Sequence, residues 1–195
     1  MSLFVKICGL TDADAVTAAV DGGADAVGFV FAESVREITP QRAAKIAAAV
    51  PGTVLRVAVM LQPTNERWQQ VWRRFRPDVL QTDYADFPSL DIDDDVARWP
   101  VLREGGVAEG DELPDTFIYE GRSSGRGETV ERQFAARLAR RGRMILAGGL
   151  SADNVAQAVA EVSPYGVDVS SAVESSPGTK DPAMIRAFID AAKTA

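Results

Sequence analysis

Histidine is absent from this chain of 195 residues, and cysteine occurs once, at Cys8. Without imidazole, acid–base chemistry near neutral pH must fall to cysteine, aspartate, glutamate, lysine or tyrosine with displaced pKa values. A single cysteine excludes an internal disulfide framework and fits a reducing compartment. No apolar run approaches the ~20 residues of a membrane-spanning helix. Residues 1–10 lack the basic-then-apolar pattern of a signal peptide. A cytoplasmic location is therefore expected. Positive charge is also in deficit: the net charge of −7 argues against nucleic acid or an anionic membrane as the main partner. It leaves room for a local phosphate site built from backbone N–H groups. The length suits one sizeable core, and no linker or low-complexity stretch divides it. Residues 1–195 therefore read as one domain.

What is present is regular alternation. Short apolar runs at 3–8, 24–31, 55–61, 78–82, 99–103, 116–119, 144–147 and 166–169 read as strands. The second, Ala24 to Phe31, is apolar apart from Asp25, as suits a strand covered on both faces in a parallel sheet. Helix starts stand between the strands. Thr11 reads as an N-cap with Asp14 in capping-box position. Thr39-Pro40, Thr64, Ser151 and Asp181-Pro182 read as further starts. Trp68, Val71, Trp72 and Phe75 recur at the spacing of a buried helix face. Two crossovers break the rule. The acidic stretch 83–97 predicts a short or distorted helix. Its run Asp91 to Asp95 lacks the glycine spacing of a calcium loop and reads as a solvated, self-repelling loop. Residues 104–115, broken by glycines and a proline, predict a crossover without a helix. Glu174 to Lys180 reads as a polar loop. Eight strand–crossover repeats predict a closed (β/α)8 barrel, with a doubly wound open sheet as the alternative.

In such a barrel the reactive groups lie at the C-terminal ends of the strands. Cys8, Glu120, Gly148-Gly149 and Ser170-Ser171 fall there. Gln81, Asp83 and Arg103 occupy the ends of strands four and five, and Arg36 lies in the loop after strand two. The glycine pair lets backbone N–H groups approach an anion, and the serine hydroxyls add donors. Together they predict a phosphate site. A short helix after strand eight would aim its positive end at the same point. Cys8 and Glu120 can form an acid–base pair suited to isomerisation. The thiolate is a base if positive charge lowers its pKa, and the carboxylic acid is a donor if burial raises its own. The planar fork of Arg36 suits a substrate carboxylate.

Four segments in family order resemble phosphoribosylanthranilate isomerase of tryptophan biosynthesis. They are Lys6-Ile7-Cys8-Gly9-Leu10-Thr11, then Gly23 to Phe31 with Ser34-Val35-Arg36. The third is Leu146-Ala147-Gly148-Gly149-Leu150 with Asn154-Val155. The last is Val167 to Glu174 with Pro177-Gly178-Thr179-Lys180-Asp181. The resemblance implies a (β/α)8 barrel whose fifth helix is often irregular. It implies an Amadori rearrangement of N-(5-phosphoribosyl)anthranilate, a phosphorylated small molecule, without cofactor or metal. It implies Cys8 as the base at C2 of the ribose and an acid at the end of strand six. Arg36 would hold the anthranilate carboxylate, and Gly148, Gly149, Ser170 and Ser171 the phosphate. The chain departs from the pattern in three places. Glu120 stands where the family has aspartate. Gln81-Thr82-Asp83-Tyr84 stands where Gln-Leu-His-Gly is common. The polar loop Gly121 to Glu128, expected to be mobile, ends in a reversed charge. Two other readings keep the barrel: a related aminoaldose-phosphate isomerase of histidine biosynthesis, and a non-catalytic barrel that binds a phosphate ligand. The chain is expected as a monomer or homodimer.

Overall fold

Eight parallel strands close on themselves in chain order, β1 to β8. They are β1 (Phe4–Ile7), β2 (Ala26–Val30), β3 (Leu55–Val59), β4 (Val79–Asp83), β5 (Ala97–Arg103), β6 (Thr116–Glu120), β7 (Arg143–Leu146) and β8 (Gly166–Val169). The computed structural model describes residues 2–108, 110–122 and 130–195. Closure comes from β1 against β8, with Phe4 opposite Gly166 and Ile7 opposite Val169. The open-sheet alternative is thereby excluded.

Side chains alternate along each strand, so every second residue faces the lumen. Ala26, Val57, Val79, Trp99, Val101, Ile118, Ile145 and Ala147 form one buried cluster there. Phe4 meets Trp99 edge to face at 5.8 Å, which plugs the lumen at the N-terminal end. A larger cluster packs the outward strand faces against the helices. That two-sided burial is why the strands read as apolar runs.

The helices are α1 (Ala13–Asp21), α2 (Pro40–Ile46), α3 (Asn65–Phe75), α4 (Arg132–Ala139), α5 (Val155–Val162) and α6 (Pro182–Lys193). Thr39, Thr64 and Asp181 cap their helices through side-chain oxygens, as expected. Two caps differ from expectation. Asp12, not Thr11, accepts from the Ala15 amide and starts α1. Asn154, not Ser151, stands before α5, and its Oδ1 accepts from the Ser151 amide. At α1 two adjacent side chains can each cap, and Asp12 is the one that does; at α5 the Asn154 side chain pins the preceding turn instead of capping the helix.

Trp68, Val71 and Phe75 are buried on α3 and Trp72 is half-buried. The crossover after β4 holds only a 3-10 helix, Tyr84–Ser89. Among the described residues of 104–115 there is no helix. The acidic run is less free than expected. Trp68 Nε1 and Gln69 Nε2 donate to the Asp91 carbonyl, Asn65 Oδ1 accepts from its amide, and Ile92 and Val96 are buried. Hydrogen bonds with Asn65, Trp68 and Gln69 thus dock the start of the run on α3. Glu174 to Lys180 is no loop but a hairpin, β9 (Glu174–Ser176) and β10 (Thr179–Lys180). The loop after β6 lies largely outside the described residues, which omit 123–129.

Candidate active site

The seven residues given catalytic or binding roles from the sequence all line one cavity of about 240 Å³ at the C-terminal mouth of the barrel. Cys8, Arg36, Glu120, Gly148, Gly149, Ser170 and Ser171 share it with Gln81, Arg103 and Asp168. Strand parity explains the convergence. Lys6 and Cys8, Gln81 and Asp83, Val101 and Arg103, and Asp168 and Ser170 are successive inward positions of β1, β4, β5 and β8 or their extensions.

Cys8 leaves β1 with its amide bonded to the Val169 carbonyl at 2.8 Å. Beneath it lies Lys6, fully buried, whose Nζ meets Asp168 Oδ1 at 2.9 Å. Gly28 on β2 leaves room for both. A Cβ there would stand 3.1 Å from the Cys8 sulfur and 3.2 Å from Lys6 Cε. Burial disfavours the charged lysine, but Asp168 and Cys8 outweigh it, and the Lys6 pKa is raised. The expectation of a lowered thiol pKa is not met. Burial pushes the Cys8 thiol up, and the nearby Lys6 and Lys180 offset only part of this, while Asp168 adds to the rise. The positive charge is present, but it is shared with a carboxylate.

Glu120 ends β6. Its Oε1 lies 3.2 Å from Arg103 Nε, and the other arm of Arg103 reaches Asp83 Oδ1 at 2.5 Å. One guanidinium thus serves two carboxylates, at the positions where the chain departs from the family pattern. Two further carboxylates stand at this mouth: Asp83 is held by Arg103 and Asp168 by Lys6.

Gly148 and Gly149 follow β7 with φ of 92° and 61°, a region that favours glycine. Asn154 Nδ2 donates to the Gly149 carbonyl at 2.8 Å and pins the turn. Ser170 Oγ donates to the Cys8 carbonyl at 3.2 Å and accepts from Lys180 Nζ at 3.3 Å. Ser171 is exposed and opens a single 3-10 turn, Ser171–Val173. The helix expected after β8 is therefore reduced to that turn.

Arg36 is reached by a protein carboxylate. Its Nε meets Glu174 Oε1 at 2.7 Å and one Nη meets Oε2 at 3.0 Å. Lys180 Nζ also holds Glu174 Oε1 at 2.8 Å and the Ser170 carbonyl at 2.8 Å. Sequence reasoning assigned no role to Lys6, Glu174 or Lys180. The signal for Lys6 was a lone lysine inside the apolar run Leu3 to Ile7, at the same parity as Cys8. Lys180 has partners nearby in sequence, Glu174 and Ser170, but Glu174 has its arginine partner 138 residues away, at Arg36.

Among the described residues no helix is long and apolar enough to cross a membrane. Residues 5–191 match the family model described as N-(5'phosphoribosyl)anthranilate (PRA) isomerase. The chain is 36% identical to the N-(5'-phosphoribosyl)anthranilate isomerase of Listeria monocytogenes serotype 4a over 204 aligned positions, covering 98% of each chain. A crystal structure of phosphoribosyl anthranilate isomerase from Thermus thermophilus superposes with a TM-score of 0.82 at 30% identity, covering 97% of this chain and 98% of that one. A second isomerase structure, in complex with reduced 1-(o-carboxyphenylamino)-1-deoxyribulose 5-phosphate, superposes at 0.78 with 28% identity, covering 99% and 100%.

Proposed function

The chain belongs to the N-(5'-phosphoribosyl)anthranilate isomerase family, and from that premise we propose how its own residues divide the reaction. The protein is an aldose–ketose isomerase of tryptophan biosynthesis. It converts N-(5-phosphoribosyl)anthranilate to 1-(2-carboxyphenylamino)-1-deoxyribulose 5-phosphate.

Glu120 is the general acid. It delivers a proton to the ring oxygen, the C1–O bond breaks, and the anilino nitrogen lone pair forms a protonated C=N bond at C1. Cys8 is the general base. As thiolate it takes the proton from C2, and the released electron pair forms the C1=C2 bond of an enolamine. Proton return to C1 and loss of the C2 hydroxyl proton give the ketone. The acidity of C2 next to a cationic C=N is what a thiolate base exploits. Gly148, Gly149, Ser170 and Ser171 bind the phosphate, and Arg36 binds the anthranilate carboxylate.

The observation that carries this division of roles is the single cavity. Thiol, carboxyl, glycine pair, serine pair and arginine arrive from β1, β6, β7, β8 and the loop after β2 to line the same space. Glu120 is longer than aspartate by one methylene, and Arg103 holds it by a side-on contact.

The test is loss of anthranilate-type fluorescence when purified protein meets freshly made substrate. Cys8→Ala and Glu120→Ala should each lose most of kcat with smaller effects on binding. Near-full activity in Glu120→Ala would move the acid to Asp168 or Asp83. Turnover of the histidine-pathway aminoaldose instead would favour the related isomerase, and binding without turnover the non-catalytic reading. We also propose one domain, a cytoplasmic location and a monomer or homodimer, which light scattering on the eluting protein distinguishes.

A further inference from the structure

The closing hairpin carries two buried charges that the scheme above leaves unused. Glu174 opens β9 with its side chain 4% exposed, and Lys180 ends β10 with its side chain fully covered. The Glu174 carboxylate is saturated. Oε1 accepts from Arg36 Nε and Lys180 Nζ, and Oε2 accepts from an Arg36 Nη and from the Gly178 amide at 3.2 Å. Burial, the largest single influence, pushes its pKa up. The Arg36 and Lys180 hydrogen bonds outweigh it and leave the group at about 2.

Arginine has five N–H donors in a rigid plane. Glu174 takes two along one edge, Nε and one Nη. The other edge, the second Nη with the remaining N–H of the first, keeps the spacing that meets a carboxylate bidentately. Arg36 itself sits in an irregular loop, where a long side chain has many rotamers to lose on binding. On the other side, Lys180 Nζ reaches the Ser170 carbonyl and hydroxyl, and that hydroxyl donates to the Cys8 carbonyl. An unbroken chain of contacts runs from Arg36 through Glu174, Lys180 and Ser170 to the backbone of Cys8.

We propose that Glu174 is a positioning residue: it grips Arg36 by one edge so that the other edge receives the anthranilate carboxylate, and through Lys180 it ties that subsite to phosphate-side Ser170 and to Cys8. The assignment rests on the isomerase reading above. It adds a residue that touches no reacting atom yet sets how well the carboxylated substrate is told from one without the carboxylate.

The experiment compares two substrates, N-(5-phosphoribosyl)anthranilate and its carboxylate-free analogue N-(5-phosphoribosyl)aniline, in wild type and Glu174→Gln. A released Arg36 loses its preset direction, so the ratio of kcat/KM between the two substrates should fall by at least about tenfold. Most of the change should lie in KM for the carboxylated substrate. A merely structural role would lower both substrates in parallel, and a constant ratio overturns the proposal. Glu174→Asp, which keeps the charge, should recover part of the ratio and serves as the readout if Glu174→Gln does not fold. If neither variant folds, Glu174 is a stability element and the proposal fails. No turnover of the anthranilate substrate by wild type would overturn the isomerase reading and this assignment with it. Wild-type turnover with an unchanged ratio in the variant would overturn this assignment alone.

Discussion

Adding one methyl group at Gly28 tests the placement of Cys8 without touching its sulfur. A Cβ at residue 28 would stand 3.1 Å from the Cys8 sulfur, roughly 0.4–0.9 Å inside the ~3.5–4.0 Å optimum for such contacts. It would also stand 3.2 Å from Lys6 Cε and 3.3 Å from Cys8 Cα. None of these neighbours yields easily. Cys8 Cα is backbone, anchored to β8 by the Cys8 amide, and Lys6 is fixed by Asp168. Overpacking of this kind costs about 1–3 kcal/mol. For a chain of this size that lowers Tm by about 2–12 °C. The catalytic cost should be larger in proportion, because a displacement near 1 Å in a reacting group costs about a hundredfold in rate. Gly28→Ala should therefore remain folded at 25 °C, melt a few degrees early and lose about 10–100-fold in kcat. Calorimetry and the fluorescence assay read the two effects separately. A kcat within about threefold of wild type at unchanged Tm would refute the reasoning. The sulfur would then not be where the reaction needs it.

Two further outcomes follow from the buried charges. Lys6→Met should destabilise the fold by about 3–5 kcal/mol, because it leaves Asp168 buried without its cation. Lys6→Met with Asp168→Asn should regain much of that loss in urea unfolding, and equal stability of the single and double variants would contradict the pairing. Burial holds the Cys8 thiol above its ordinary value of 9.0, so the reactive thiolate is a minority form at neutral pH and grows as pH rises. Alkylation of Cys8 by iodoacetamide in the empty enzyme should be slower than for a free thiol, with a rate that still climbs beyond pH 9. A plateau below that pH would show that Lys6 and Lys180 prevail over burial.

The barrel was legible because its strands are covered on both sides. Near-continuous apolar runs such as Ala24 to Phe31 have few other uses, and the starts at Thr39-Pro40, Thr64 and Asp181-Pro182 are unambiguous chemically. Legibility failed where two adjacent side chains compete, as with Thr11 and Asp12, and where a side chain serves the turn before the helix, as Asn154 does, since local sequence does not say which direction the chain leaves the strand. It failed again at Glu174 to Lys180. The hairpin there is short, and its purpose is a partner 138 residues away, Arg36. The rim residues were found from strand ends, which are local. The charges that hold them, Lys6 with Asp168 and Glu174 with Arg36, are long-range pairs that no window of sequence contains.

The Lys6–Asp168 contact spans 162 residues, and that separation bears on how the protein comes into being. A ribosome delivers the lysine at the outset and its carboxylate only after seven strands have emerged. Until then any nascent sheet that tried to shut around Lys6 would enclose a lone ammonium, at a penalty of several kcal/mol. A sheet closed before β8 would therefore carry Lys6 without its carboxylate partner. The same strand, β8, supplies both the edge that closes the ring on β1 and the carboxylate that meets Lys6.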